Sequence, residues 1–176
     1  MAEVVVRAAQ PEDAADLARG WVEGGRYYAT LDGSRFQVPE NDGLVEWLGE
    51  LLRRPRSEDE VWLVAEVDGM VVGNVNAVMQ RPVDSAPRQV LRYLGETRVY
   101  VNALSVEEAV WRRGVGTRLM EAVEQWGRER GATLVSLDTW IHSPVSVPFY
   151  ERGLGYDRAS IVFEKRLKRP HRPSQD

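Results

Sequence analysis

The stretch EVWLVAEVDGMVVGNVNAVMQ, residues 60–80, sets two β-rich runs on either side of Asp68-Gly69. Asp-Gly suits a two-residue type I′ turn, whose central residues both take positive φ. A turn that tight obliges the two strands to run antiparallel. All-parallel architectures are thereby removed, and a mixed or antiparallel sheet remains.

The rest of the chain reads around this hairpin. EVVVRAA is a short β-branched run and predicts a first strand. In QPEDAADLARGWVEGGRYY, a proline and two acids open a helix whose apolar residues Ala14, Leu17, Ala18, Trp21 and Val22 fall near helical spacing. ATLDGSRFQVPENDG reads as a loop, and LVEWLGELLRR as a second helix stopped by Pro55. After the hairpin comes a connection with Pro82 and Pro87, in which RQVLRYL suits a short helix. TRVYVNALSV is a strand whose plain alternation puts Val99, Val101, Ala103 and Ser105 on one side. Tyr100, Asn102, Leu104 and Val106 then fall on the other.

A helix follows, with Val115, Leu119, Ala122, Val123 and Trp126 on one face and Gly131 as its stop. ATLVSLDTW is a strand, SPVSVPFYERGLGY a short irregular helix, and RASIVFEKRL a last strand. The order β-α-α-β-β-β-α-β-α-β describes a single α/β domain over residues 1–167. The crossover from the strand ending at Val106 to ATLVSLDTW should be parallel. The polar KRPHRPSQD, residues 168–176, reads as a mobile tail.

Composition limits the chemistry. The 176 residues carry a formal net charge of −4, which argues against a nucleic-acid binder. No cysteine occurs, so disulfides, thiol nucleophiles and thiolate metal sites are excluded. With two histidines, His142 and His171, no metal site is expected. No apolar run has the length of a membrane span, and the N-terminus shows no signal-peptide pattern, so a cytoplasmic protein is the expectation.

The chemistry concentrates in WRRGVGTRLM, residues 111–120. Glycines before a helix let the backbone approach a ligand closely, and the helix's first amides have no partners inside it. Together with the dipole they form an anion site. The dinucleotide fingerprint would need a third glycine where Leu119 stands, and the Walker loop needs Gly-Lys-Ser/Thr, which is absent. A plain helix start with two solvated arginines stays open on these residues alone.

WRRGVG, the hairpin, the opening VRAAQPEDA and the late FYERGLGY together resemble the GNAT superfamily of acyl-CoA-dependent N-acetyltransferases, from about Val4 to Leu167. The signature Gln/Arg-x-x-Gly-x-Gly/Ala is met at Gly114 and Gly116; Trp111 stands at its first position. The resemblance implies a mixed, mostly antiparallel sheet of six to seven strands flanked by helices, with strands four and five splayed. It implies acetyl-CoA as co-substrate, with its pyrophosphate on the amides of Arg113, Gly114, Val115, Gly116 and Thr117. Arg112 or Arg113 would contact phosphate. Leu104, Ser105 and Val106 would pair with the pantetheine arm, and the Val106 amide would serve as oxyanion donor.

Tyr150 would protonate the departing thiolate. Ser143 stands where the family often has a pantetheine-binding asparagine. Asn102 stands where some relatives have a glutamate base, and it would orient water; Glu96, Tyr100, Asp138 and His142 are further candidates for the base. Trp21, Tyr27, Tyr28 and Trp140, with Phe36, would wall an acceptor pocket, with Glu23 or Asp32 pairing with the amine's charge. The implied reaction is acetyl transfer to a primary amine of a small molecule or peptide, by direct attack in a ternary complex. The alternative is an acyl-CoA-binding regulatory or interaction module with weakened catalysis. No nucleic acid or membrane partner is implied, and the family pattern allows a homodimer.

Overall fold

The computed structural model describes residues 3–167. They fall into two compact units, Met1–Thr139 and Trp140–Asp176. The first holds a five-stranded sheet in the order β1-β2-β3-β4-β5. Its strands are β1 (Val4–Ala8), β2 (Glu60–Val67), β3 (Met70–Gln80), β4 (Arg98–Val106) and β5 (Leu134–Leu137). The first four pair antiparallel in sequence, and β4 pairs with β5 in parallel. The β2–β3 turn has Asp68 at φ 51 and Gly69 at φ 79, the positive pair that a type I′ turn needs.

Helices α1 (Ala14–Leu31) and α2 (Leu44–Arg53) precede the hairpin, and α3 (Val115–Glu129) joins β4 to β5. A salt bridge fixes how α1 leaves β1. Arg7 sends Nη1 and Nη2 to Asp13 at 2.8 and 2.9 Å, and Asp13 Oδ2 also accepts the Gln10 amide at 2.8 Å. Burial would raise the Asp13 carboxyl's pKa, but the Arg7 and Gln10 bonds outweigh it and hold it below its ordinary value. Leu44, Leu48 and Leu52 recur every four residues on α2 and join Leu17, Ala18, Val64 and Val71 in a buried cluster.

The helices α1 and α3 take opposite faces of the sheet. A Cβ at Gly73 would lie 3.3 Å from Leu119 of α3, and one at Gly127 of α3 would meet Val99 at 2.6 Å. Ser105, paired one register step from Gly73, turns the other way, with its Oγ 3.9 Å from a Cβ at Gly20 of α1.

Three expectations are corrected. Five strands are present among the described residues, not six or seven. Residues 158–167, read as a last strand, adopt no regular structure, and Val162 and Phe163 are exposed. A β-branched run becomes a strand only where a neighbour takes its backbone bonds. Secondly, RQVLRYL is not a helix: 3₁₀ turns at Ala86–Arg88 and Arg92–Gly95 flank an extended break, and Val90 is 99% exposed with nothing to pack against.

The third correction concerns β4. Asn76 pairs with Ala103 but Ala77 pairs with Val101, so Asn102 is an extra, bulged residue. Beyond the bulge the alternation is inverted. Leu104 and Val106 share the α3 face with Val99 and Val101, while Ser105 lies on the face of Tyr100. Residues 168–176 lie outside the described residues. No helix among the described residues is long and apolar enough to cross a membrane.

Candidate functional site

The ladder between β4 and β5 runs from Arg98–Leu134 to Val101–Leu137 and stops there, while β4 continues to Val106. Past that branch point, the edge of β4 turned away from β3 pairs with no strand among the described residues. The register says which groups face it. The Glu107 amide donates to Val72 O at 2.9 Å, which makes Gly73–Val106 a non-hydrogen-bonded pair. By the antiparallel alternation, Val106 and Leu104 turn both backbone groups outward to the open edge. Ser105 spends its own on Asn74 of β3 and keeps its side chain under α1.

The open edge leads into the glycine turn. After Glu107 come a 3₁₀ turn at Glu108–Val110, then Trp111, Arg112 at φ 61 and Gly114 at φ 83. Gly114 is the N-cap of α3, and no side chain caps this end. The first bond back to the cap is from Arg118 N to Gly114 O at 3.0 Å, so Val115, Gly116 and Thr117 aim their amides out of the helix start. Gly114 is exposed at this mouth, and a Cβ on it would meet nothing within 4 Å. The Arg113 amide is turned into the loop toward Val110 O at 3.3 Å. Arg112 and Arg113 are both exposed beside the mouth.

Trp111 has a different occupation from the polar residue the signature usually carries. Its Nε1–H donates to Val106 O at 2.7 Å. Its ring meets Tyr27 edge-on, with centroids 5.1 Å apart. Tyr27 touches Tyr28 at 5.5 Å, and Tyr28 touches Phe36 at 5.0 Å. The Tyr27 phenol is raised above its ordinary pKa by burial, then by Tyr28 and Glu108. Trp21 stands apart from this group, edge-on to Trp47 of α2 at 6.4 Å.

Polar stitches bind α1 to the same loop. Arg19 reaches Glu107 at 2.7 Å and Val71 O at 3.0 Å, and Glu23 accepts the Glu108 amide at 2.8 Å. Glu23 is thus committed within the protein. Asp32 caps its own turn by accepting from Ser34.

At the branch point, the Tyr100 hydroxyl donates to Asp138 at 2.6 Å, and this bond, with burial, raises the phenol's pKa. Asn102 donates to Asn76 Oδ1 at 2.7 Å, so the bulge places it on the side of β4 that carries Tyr100. Glu96 lies off this group, accepting from Thr133 Oγ1 at 2.7 Å. The family resemblance implies a bulge near Leu104–Val106, and the register puts it at Asn102. The indole bond and the Arg19–Glu107 pair were missed in the sequence, because each depends on register rather than pattern.

The unit Trp140–Asp176 contains the remaining candidates. Trp140 meets His142 edge-on at 5.6 Å. Ser143 is buried and its Oγ accepts the Ser146 amide at 3.0 Å, which anchors the helical turn Ser146–Pro148. That turn runs into a π-helical stretch, Phe149–Gly153, where Tyr150 packs on Phe149 at 5.0 Å and on Tyr156 at 5.9 Å.

A parted strand pair, a bulge and a glycine-started helix define an acyltransferase-type fold, and the sequence carries the matching family signal. Residues 27–156 match the model of the acetyltransferase (GNAT) family, and the chain belongs to that family. The match spans parts of both units.

Among solved structures, a transcriptional regulator from Bacillus halodurans C-125 is similar at TM-score 0.69 and 20% identity, over 94% of this chain and 100% of that one. An aminoglycoside acetyltransferase from an uncultured soil metagenomic sample, in complex with sisomicin, is similar at TM-score 0.61 and 18% identity, over 94% and 97%. An aminoglycoside N-acetyltransferase in complex with CoA is similar at TM-score 0.63 and 18% identity, over 96% and 97%. At these identities the likeness is one of fold. No curated protein matches the chain.

Proposed function

We propose that this protein transfers an acetyl group from acetyl-CoA to a primary amine of a small molecule or peptide. The observation that carries the reading is the open edge of β4 beyond Val101, which ends at the uncapped start of α3. A pyrophosphate fits the amides of Val115, Gly116 and Thr117, with the Gly114 amide beside them, the Thr117 hydroxyl adding a bond and Arg112 or Arg113 neutralising charge. The pantetheine arm then runs along β4 as an added strand would. It passes Val106 first and Leu104 second, so Val106 pairs with the arm. Leu104 lies nearer the thioester, and its amide takes the oxyanion role. This ordering prefers Leu104 to Val106 for that role.

The acceptor approaches on the side of Tyr27 and Tyr28. The amine loses a proton and its nitrogen attacks the thioester carbon. The C–N bond forms, the C–S bond breaks, and the thiolate takes up a proton. For Tyr150 as the source of that proton, the support is the element PFYERGLGY. A phenol of pKa about 10 and a thiol of about 8.5 are matched closely enough for the transfer.

Two similar structures are aminoglycoside acetyltransferases, so hydroxyl-rich amines are the first acceptors to try. The test is a thermal shift with acetyl-CoA, followed by thiol release across an amine panel. A shift with release supports the reading. A shift without release assigns the chain to an acyl-CoA-binding module. Neither result with any amine overturns the reading.

A further inference from the structure

We propose that Trp111 is a positioning residue that ties the aromatic group of α1 to the edge receiving the donor, so that CoA binding orders the acceptor side. The inference rests on the reading that CoA occupies the β4 edge and the α3 start. Trp111 departs from the signature, and as an indole it brings no charge to a phosphate. The structure gives it two other partners. Its N–H takes Val106 O, one of the outward-facing groups of the open edge, at 2.7 Å.

That bond closes the edge at its turn end. An added strand can then use Leu104 fully but Val106 only through its amide. Withdrawing one acceptor removes the alternative pairing one step nearer the turn, so the arm's register is fixed. The ring of Trp111 meanwhile rests on Tyr27 at 5.1 Å, and the contacts continue through Tyr28 to Phe36. Phe36 belongs to the loop between α1 and α2, and this loop lies back on α1: a Cβ at Gly25 would be 2.4 Å from Pro39. Four rings therefore link the donor edge to the segment facing the acceptor. The Arg19–Glu107 and Glu23–Glu108 bonds hold α1 and the loop together, but neither touches the outward edge. Of these three links, the indole alone does both.

The experiment is amide hydrogen exchange of the full chain with and without CoA, in wild type, Trp111→Leu and Trp111→Phe. Wild type should show CoA-dependent slowing at residues 112–118 and, severalfold, at residues 24–41. In Trp111→Leu the slowing at 112–118 should persist while that at 24–41 disappears. Trp111→Phe keeps a ring on Tyr27 and loses only the N–H. It should keep the 24–41 response, because the ring contact with Tyr27 and not the N–H carries the response to α1.

Melting curves check that each variant is folded; if Trp111→Leu is not, Trp111→Phe together with Tyr27→Leu carries the same comparison. Slowing at 112–118 without any at 24–41 in wild type overturns the inference. So does a Trp111→Leu response equal to wild type. No slowing at 112–118 in wild type is a different result, and it overturns the CoA reading itself.

Discussion

Replacing Gly114 by alanine separates backbone strain from anion binding, because the chain carries its own control. Gly114 opens α3 at φ 83 and Gly131 follows its end at φ 79, and a Cβ at either would meet nothing within 4 Å. Neither substitution has a packing cost, so both carry only the penalty of an L-residue in the left-handed region, about 1–2 kcal/mol. For a chain of this length that lowers Tm by roughly 2–8 °C. The two variants should melt within a few degrees of each other. Their CoA affinities should not agree. At Gly114 any relaxation of the alanine away from φ 83 re-aims the amides of Val115, Gly116 and Thr117 that follow it, and losing one charge-assisted bond of about 1.5–3 kcal/mol weakens binding tenfold or more. Gly131→Ala, at the far end of the helix, should bind as wild type does. Calorimetric titration with CoA at one salt concentration reads the difference. Equal affinities in the two variants would refute the placement of the pyrophosphate on the start of α3.

Asp13→Asn should destabilise by about 2 kcal/mol, measured as a shift of the urea midpoint, since it weakens charge-assisted bonds to Arg7. Arg7 is 36% exposed, so water recovers part of the loss. Because the folded Asp13 pKa is depressed, its contribution is complete above the ordinary value of about 3.9 and is lost as pH falls through the folded value; the variant's acid limb should be correspondingly flatter. Gly73→Ala would put a Cβ 2.9 Å from Ser105 O and 3.3 Å from both Leu119 and Val106. It should cost about 1–3 kcal/mol in thermal unfolding and weaken CoA binding through Val106. Tyr150→Phe should lower turnover about a hundredfold with CoA affinity nearly unchanged, in single-substrate kinetics with an accepted amine; unchanged turnover assigns Tyr150 to packing alone.

Much of the fold was legible because its signals are local. Asp68-Gly69 specifies its turn through two residues, and the periodicity of Val115, Leu119 and Val123 needs one helix only. The parallel return from α3 to β5 followed from connection rules. The glycine turn was legible for the same reason, since Gly114 and Gly116 mark a helix start by spacing and Gly114 is the N-cap of α3. What stayed hidden depends on partners far along the chain. The run Ile161–Phe163 has the composition of a strand and no ladder, because propensity does not supply a neighbour. Trp111 read as a departure from a polar motif, while its role comes from Val106 and Tyr27, which no spacing rule connects to it.

The bulge at Asn102 shows how a single residue decides the chemistry of the edge. With plain alternation, Leu104 and Val106 would share a face with Tyr100. The extra residue inverts this: Leu104 and Val106 pack toward α3, where Gly73 makes room for Val106, and Ser105 turns under α1. Side chains and backbone groups are thereby sorted. Leu104 and Val106 anchor the strand with apolar side chains on one face while their amides point sideways into the open edge. The side that carries Tyr100 keeps Asn102, Asn76 and the Tyr100–Asp138 bond, all polar and within reach of water. A thioester on that edge would have rigid amides beside it and a polar floor on the acceptor side. Deleting Asn102 leaves Leu104 and Val106 on the α3 face, because Ala103 then follows Val101 directly. It removes the bend of the bulge, so β4 should stay alongside β5 past Val101 and CoA binding should be lost, whereas Asn102→Ala keeps the bulge and should bind CoA normally. Equal binding by the deletion and the substitution would show that the bulge does not set the edge.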